Sequence, residues 1–381
     1  MKVKDIFKSI IKGIMYGLRV VPLKNDKIVF SAFSARTYGD NPKAIAEYLV
    51  KNKYNYDCVF VLDNPQKSDV LSGIRVVKYN TLRYLYEMAT ARVWVDNTRK
   101  QPHIVKRKGQ FYIQTWHGGI FIKKIEKDAE NVLDSEYVKT AINDSKNIDC
   151  FLTNSKWGEN QIRRCFWYDG DIEITGSPRV DIIFNCSESK KKEIRNSLGI
   201  NVKDHILLYA PTFRRDKNVE CYNIDFKRIT TALQTKFGGS WKVVVKLHPN
   251  IRNVAHNFGS ESLVIDGSYY PDINELYCIS DALITDYSSS IFDYSLTKKP
   301  AFIYATDVEE YSKDRNVHFQ FKDLPYPFSE NNDQLEKNIL RFDQKAYGTE
   351  LNNFFEKLGV AEDGHAAERV ASIISTAINS K

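Results

Sequence analysis

Read for its apolar positions, the chain alternates between two periodicities. Short β-branched and aromatic runs predict strands at KIVFSAF (27–33), CVFVL (58–62), IRVV (74–77), RVWVD (92–96), FYIQTW (111–116), IDCFLT (148–153) and IEIT (172–175). Helical stretches such as PKAIAEYLVKN (42–52) and LRYLYEMATA (82–91) lie between several of them, the alternation of a parallel α/β layer. After GSPRVDIIF (176–184) a charged helix follows, with Ser187 placed to cap its start and Gly199 to end it. The alternation then restarts at HILLYAPTF (205–213), WKVVVKLHP (241–249), SLVID (262–266), DALITDY (281–287) and PAFIYA (300–305). The pattern predicts an α/β protein of GT-B architecture, two facing Rossmann-like domains over 25–185 and 186–363, with a C-terminal helix at 364–381.

The first 24 residues follow a different pattern. Val3, Ile6, Phe7, Ile10, Ile11, Ile14 and Leu18 recur at helical spacing, with Lys4, Lys8, Lys12 and Arg19 between them. This amphipathic helix over 1–24 has an apolar stripe with cationic edges. It suits the interface of an anionic membrane, and a helix packed on its own domain remains the competing reading. It lacks the cleavage site of a signal peptide, and no apolar stretch is long enough to span a bilayer.

Composition narrows the partners. At 381 residues, with 43% hydrophobic content and a net charge of +7, the chain can build a core and favours acidic ligands, without the charge density of a nucleic-acid binder. Its six cysteines show no CxxC pair and no ligand-like spacing to the seven histidines, so reduced thiols are expected and neither a disulfide framework nor a zinc site is indicated. A Walker loop, a GxGxxG fingerprint and an HExxH motif are all missing from the sequence, which argues against P-loop hydrolases, typical dehydrogenases and zincins.

Several polar motifs fall at strand exits, where ligands of open α/β sheets bind. In QTWHGGIFIKK (114–124), His117 is a candidate general base, and Gly118 and Gly119 are expected to supply unusual dihedrals and close approach. Thr212 and Arg214 follow ILLYAP, with Arg214 able to fork onto a phosphate. His248 and Lys246 lie in VVVKLHP, where His248 could donate to a pyrophosphate or a departing oxygen. Ser288, Ser289 and Ser290 follow Asp286 and are expected to open a helix over 288–299 as a phosphate cradle, while Asp286 either orients a ligand hydroxyl or holds the loop. All are expected to converge on one cleft.

These residues resemble the CDP-glycerol glycerophosphotransferases of wall teichoic acid and capsule synthesis in Gram-positive bacteria. The landmarks are TWHGG, TNSKWGENQI, ITGSPRVD, LYAPTFR, KLHP, LITDYSSSIFDYSLTKKPAFIY and EEYSKDRNVHF, in order, over roughly 27–328. The resemblance implies a peripheral enzyme at the cytoplasmic face of the membrane. Such an enzyme moves an alditol phosphate from CDP-glycerol or CDP-ribitol to a hydroxyl of a lipid-linked glycan and releases CMP. By the family pattern His117 is the base and His248 a stabiliser of the donor phosphates, with Arg214 and Ser288 to Ser290 around the pyrophosphate. The usual WHGTPLKK reads WHGGIFIKK here, which bears on acceptor geometry. Neither a cofactor nor a metal is expected, nor a nucleic-acid partner, and assembly of identical copies is left open. The rival readings are a nucleotide-sugar glycosyltransferase on the same fold, a sugar-nucleotide epimerase and an inactive membrane scaffold.

Overall fold

The computed structural model describes residues 3–67, 69–212, 214, 222–247, 262–308 and 317–380. The chain divides into two compact units. The first holds Met1–Gly119, Ile125–Asp181 and Val360–Lys381, and the second holds Ile120–Lys124 and Ile182–Gly359.

In the first unit, β1 (Lys24–Ser31), β2 (Asp57–Leu62), β3 (Arg75–Lys78), β4 (Ala91–Asp96), β5 (Phe111–Gln114), β6 (Cys150–Thr153) and β7 (Asp171–Ile174) form one sheet in the order β3-β2-β1-β4-β5-β6-β7. Every pairing is parallel, with Phe30 opposite Phe60 on one side and Val95 on the other. Strands covered on both faces read as continuous apolar runs, as CVFVL does, and Val59, Phe60 and Val61 are fully buried. The sheet order reverses between β1 and β4.

Helices α1 (Val3–Gly17), α2 (Asp40–Lys51) and α3 (Leu82–Thr90) belong to this unit. Thr81 caps α3 by accepting from the Tyr84 amide. Beneath α3 the Lys27 ammonium is fully buried, and it donates to Glu87 and, at 2.8 Å, to the Thr90 hydroxyl. The C-terminal helix, Ala366–Asn379, closes the same core: Val370, Ala371 and Ile374 are fully buried among Ile28, Phe30, Ile45, Leu49 and Phe60. Helix α1 divides its apolar residues between two faces. Ile11 and Met15 are buried, whereas Ile6, Phe7 and Ile10 stay exposed. No helix among the described residues is long and apolar enough to cross a membrane.

In the second unit, β8 (Asp204–Tyr209), β9 (Ser240–Val245), β10 (Val264–Asp266), β11 (Ala282–Thr285), β12 (Ala301–Tyr304) and β13 (Phe328–Ser329) form a parallel sheet in the order β10-β9-β8-β11-β12-β13. Here the order reverses between β8 and β11. The helix Glu188–Ser197 starts at Ser187, whose hydroxyl accepts from the Lys190 amide, and ends before Gly199 at φ +66°. The two α/β units give the GT-B class expected from the sequence. Gly119 is the last residue of the first unit before the chain passes to Ile120–Lys124 of the second.

Candidate functional site

The turn after β5 is shaped by a tryptophan. Trp116 has φ +48°, a left-handed conformation costly for a bulky side chain, and the turn is held from several directions. Its amide donates to the Gln114 side chain at 2.9 Å, and its carbonyl accepts from Asn41 at 3.2 Å and from the Thr115 hydroxyl at 2.9 Å. Its ring meets Phe166 edge-on at 4.8 Å, and the Arg99 guanidinium lies 5.6 Å from the indole. Arg99 is itself fixed by Glu126 at 2.6 Å and Ser145 at 2.9 Å, with Asp144 3.5 Å away.

The consequence is that Trp116 turns inward and His117 outward. His117 keeps solvent access, stacks on Trp116 at 4.5 Å and lies 5.5 Å from the Phe33 ring. Its Nδ1 is 3.0 Å from the carbonyl oxygen of Asn97, a residue fully buried. The carbonyl can only accept, so it selects the Nδ1–H tautomer and leaves Nε2 as the proton acceptor. Desolvation lowers the pKa of the imidazole below the ordinary histidine value; the Asn97 bond and Asp40 oppose this and Arg179 adds to it. Such a ring is neutral at cell pH and ready to take a proton.

The glycines act differently from the expectation. Neither Gly118 nor Gly119 has a positive φ; the unusual backbone is that of Trp116. Gly119 is required by space, since a Cβ there would meet Asn154 Oδ1 at 2.0 Å, while a Cβ on Gly118 would meet nothing within 4 Å. The two glycines line a small pocket with Asn41, Thr115, Asn154 and Ser177.

In the second unit, the β8/β11 switch point is stapled by charge. The Thr212 and Tyr287 amides both donate to Asp286 Oδ1, at 2.8 and 2.6 Å, and the Arg214 guanidinium donates to Asp286 Oδ2 at 2.8 Å. Arg214 also forks onto Asp307 at 2.6 and 3.1 Å, and donates to the Thr212 carbonyl at 2.7 Å. Burial alone would push the Asp307 carboxyl up; the bonds from Arg214 and from Tyr287 outweigh it and hold the group below its ordinary value.

These contacts already occupy two of the candidate residues. The Arg214 fork, 7% exposed and expected as a phosphate clamp, grips two carboxylates and braces their loops. Asp286 accepts from the amides and the guanidinium of both loops. The Thr212 hydroxyl is buried with no hydrogen-bond partner among the described residues. Lys246 turns to the carbonyls of Ser268 and Tyr270. The three serines follow Tyr287, half-buried, with the hydroxyls of Ser288 and Ser290 2.7 Å apart. The helix they open runs only from Ser290 to Ser295, shorter than the expected 288–299; beyond it the amides of Leu296, Thr297 and Lys298 bond three residues back, and Lys298 is left-handed at φ +58°. His248 lies outside the described residues. No group of three or more His, Cys, Asp or Glu among the described residues is arranged to hold a metal ion.

The structure thus brings His117, Gly118 and Gly119 together in the first unit, and Thr212, Arg214 and Asp286 in the second, with Ser288 to Ser290 next to Asp286 in the chain. Sequence reasoning missed Asn97, Arg99, Glu126 and Asp307. No motif marks them, although the charged Arg99 and Asp307 do follow strands.

Known proteins resemble this chain in sequence and in fold. The family model for CDP-Glycerol:Poly(glycerophosphate) glycerophosphotransferase matches residues 14–376. A teichoic acid poly(glycerol phosphate) polymerase of Staphylococcus epidermidis is 31% identical over 92% of the chain and 51% of its own length, so the chain spans about half of that relative. The teichoic acid glycerol-phosphate transferase of Staphylococcus aureus is 29% identical over 98% of the chain and 99% of its own length. Among solved structures, that of the wall teichoic acid polymerase TagF superposes with a TM-score of 0.85 at 29% identity, covering 99% of this chain and 95% of the other. A putative UDP-N-acetylglucosamine 2-epimerase from Listeria monocytogenes, at 14% identity and a TM-score of 0.55, shares the fold alone.

Proposed function

We propose that this chain, which belongs to the CDP-glycerol:poly(glycerophosphate) glycerophosphotransferase family, transfers an alditol phosphate, glycerol phosphate first among them, from a CDP-activated donor to a hydroxyl of a lipid-linked acceptor. The observation that carries the reading is the His117 ring, locked by Asn97 into the tautomer that accepts a proton at Nε2 and kept neutral by its surroundings. TagF has been crystallised as an H444N variant soaked with CDPG, a donor of the class proposed here.

In the proposed step the acceptor oxygen forms a bond to the β-phosphorus as the bond from that phosphorus to CMP breaks, and the hydroxyl proton passes to His117 Nε2. Charge building on the phosphates is assigned to the second unit, to Thr212, Ser288, Ser289, Ser290, Lys246 and His248, with Arg214 and Asp286 holding their loops in place. Helix α1 is assigned to the surface of an anionic membrane, through Ile6, Phe7 and Ile10 with Lys8 and Lys12 beside them. On this reading the enzyme sits peripherally at the cytoplasmic face of the membrane.

The test is a donor panel. CDP-glycerol, CDP-ribitol and sugar nucleotides are each incubated with a lipid-linked disaccharide mimic, and CMP release and product mass are read. The reading expects turnover with a CDP-alditol that vanishes in His117→Ala. Turnover with sugar nucleotides alone would replace it with a glycosyltransferase.

A further inference from the structure

We propose that a polar pocket at the β1/β4 switch point of the first unit holds the hydroxyl-rich, phosphodiester-bearing part of the acceptor, an inference that rests on the transferase reading above. At a strand-order reversal the flanking connections diverge and leave a crevice beyond the carboxyl ends of the strands. An open-mouthed pocket of about 420 Å³ occupies that position. Ser34 and Arg36 line it from the loop after β1, Asp63 from after β2, Tyr79 and Asn80 from after β3, and Gln101 from after β4.

Its floor is committed and its rim is not. Asp96 is spent on Lys100 at 2.5 Å and on the Thr98 amide at 3.0 Å, and Arg99 is spent on Glu126. Arg36, Asp63, Asn80 and Gln101 make no side-chain hydrogen bond or ion pair among the described residues. A carboxylate and two amides offer acceptors and donors to hydroxyls, and a guanidinium fork matches a phosphodiester. Tyr79, half-buried and 5.1 Å from the Tyr84 ring, adds an apolar face for the carbon side of a sugar or polyol.

Backbone strain collects around the pocket. Phe33, Ser34 and Ala35 are three successive left-handed residues, at φ +48°, +57° and +68°, and Asn80 is a fourth at +57°. Residues that are not glycine persist there only when their surroundings over-determine them, and such strain gathers at ligand sites. The Phe33 amide donates to Asn97 Oδ1 at 2.7 Å, the Ser34 amide to the Thr98 hydroxyl at 3.1 Å, and the Asp63 amide to the Ala35 carbonyl at 2.7 Å. Asn97 is the residue whose carbonyl orients His117. The same pair of loops therefore shapes the pocket and sets the base, as expected if the acceptor is gripped here while its terminal hydroxyl reaches the imidazole.

The experiment compares wild type with Arg36→Ala, Arg36→Lys and Asp63→Asn in the full chain. Acceptor KM and kcat come from CMP release, the donor dissociation constant from calorimetry with CDP-glycerol, and acceptor binding without donor from ligand-observed NMR. Losing a charged hydrogen bond is expected to raise the acceptor KM about tenfold or more in Arg36→Ala and Asp63→Asn, with kcat within about twofold and donor affinity unchanged. Arg36→Lys should recover part of the loss. A glycan mimic without phosphodiester should be insensitive to Arg36→Ala yet weakened by Asp63→Asn, and a glycerol phosphate oligomer should depend on both. Unchanged acceptor KM and NMR binding in both variants overturns the pocket assignment. Should wild type turn over no CDP-alditol, the transferase reading fails, and the NMR comparison still decides whether the pocket binds the mimic.

Discussion

The Nδ1 of His117 and the carbonyl oxygen of Asn97 are 3.0 Å apart, and this contact fixes which imidazole nitrogen can take a proton. Removing a positioned general base costs about 10²- to 10⁴-fold in rate, so His117→Ala should lose that much kcat while donor affinity, read by calorimetry, stays near wild type.

The pH dependence follows from the same ring. Because desolvation lowers its pKa, the acid limb of kcat/KM should fall below the usual histidine value of about 6.5, activity being retained down to that pH and lost beneath it. A histidine depressed in the fold also costs stability as the pH drops below about 6.5, since the unfolded chain takes the proton first. Chemical denaturation of His117→Asn between pH 5 and pH 8, a window of about 1.5 units either side of that value, should show a shallower loss of stability on acidification than wild type.

Gly119→Ala should be far more damaging than Gly118→Ala. The added methyl would press on Asn154 at 2.0 Å, an overpacking that costs about 1–3 kcal/mol, whereas the neighbouring site is open. Melting temperatures of the two variants, and of Gly119→Ala combined with Asn154→Ala, would check this, with the double substitution recovering stability.

Arg214 is a brace between two carboxylates, so Arg214→Ala strands buried charge and should destabilise the second unit by about 3–5 kcal/mol. Lysine, lacking the planar fork, should restore little. Denaturant titration measures both. An unshifted midpoint in Arg214→Ala would return the guanidinium to the role of a ligand clamp.

Helix α1 offers a separation of folding from surface binding. Phe7 is 61% and Ile10 55% exposed, while Met15 is 1% exposed. Phe7→Glu with Ile10→Glu should cut partition onto anionic vesicles about tenfold or more and leave the melting temperature unchanged. Met15→Glu should lower the melting temperature instead.

Much of this architecture could be read from the chain because its strands are buried on both faces and announce themselves as apolar runs. RVWVD and DALITDY lie within a residue or two of β4 and β11. The two-residue β13 carries too little pattern to stand out, and the Ser290–Ser295 helix gives way to a tight turn through Lys298 that composition does not reveal. His117 was visible because strand exits collect function. Its supports were not, since Asn97, Arg99 and Glu126 meet Trp116 and His117 only through the fold. Likewise Arg214 looked free to take a ligand until Asp307, 93 positions along the chain, came into hydrogen-bonding distance.

Val370, Ala371 and Ile374 complete a core whose other members, Ile28 and Phe60 among them, leave the ribosome some three hundred residues earlier. The first unit consequently cannot close before the second has been made, and until Ala366–Asn379 arrives its sheet carries an uncovered apolar strip. A cut just before Ala366–Asn379 would harm the first unit more than the second.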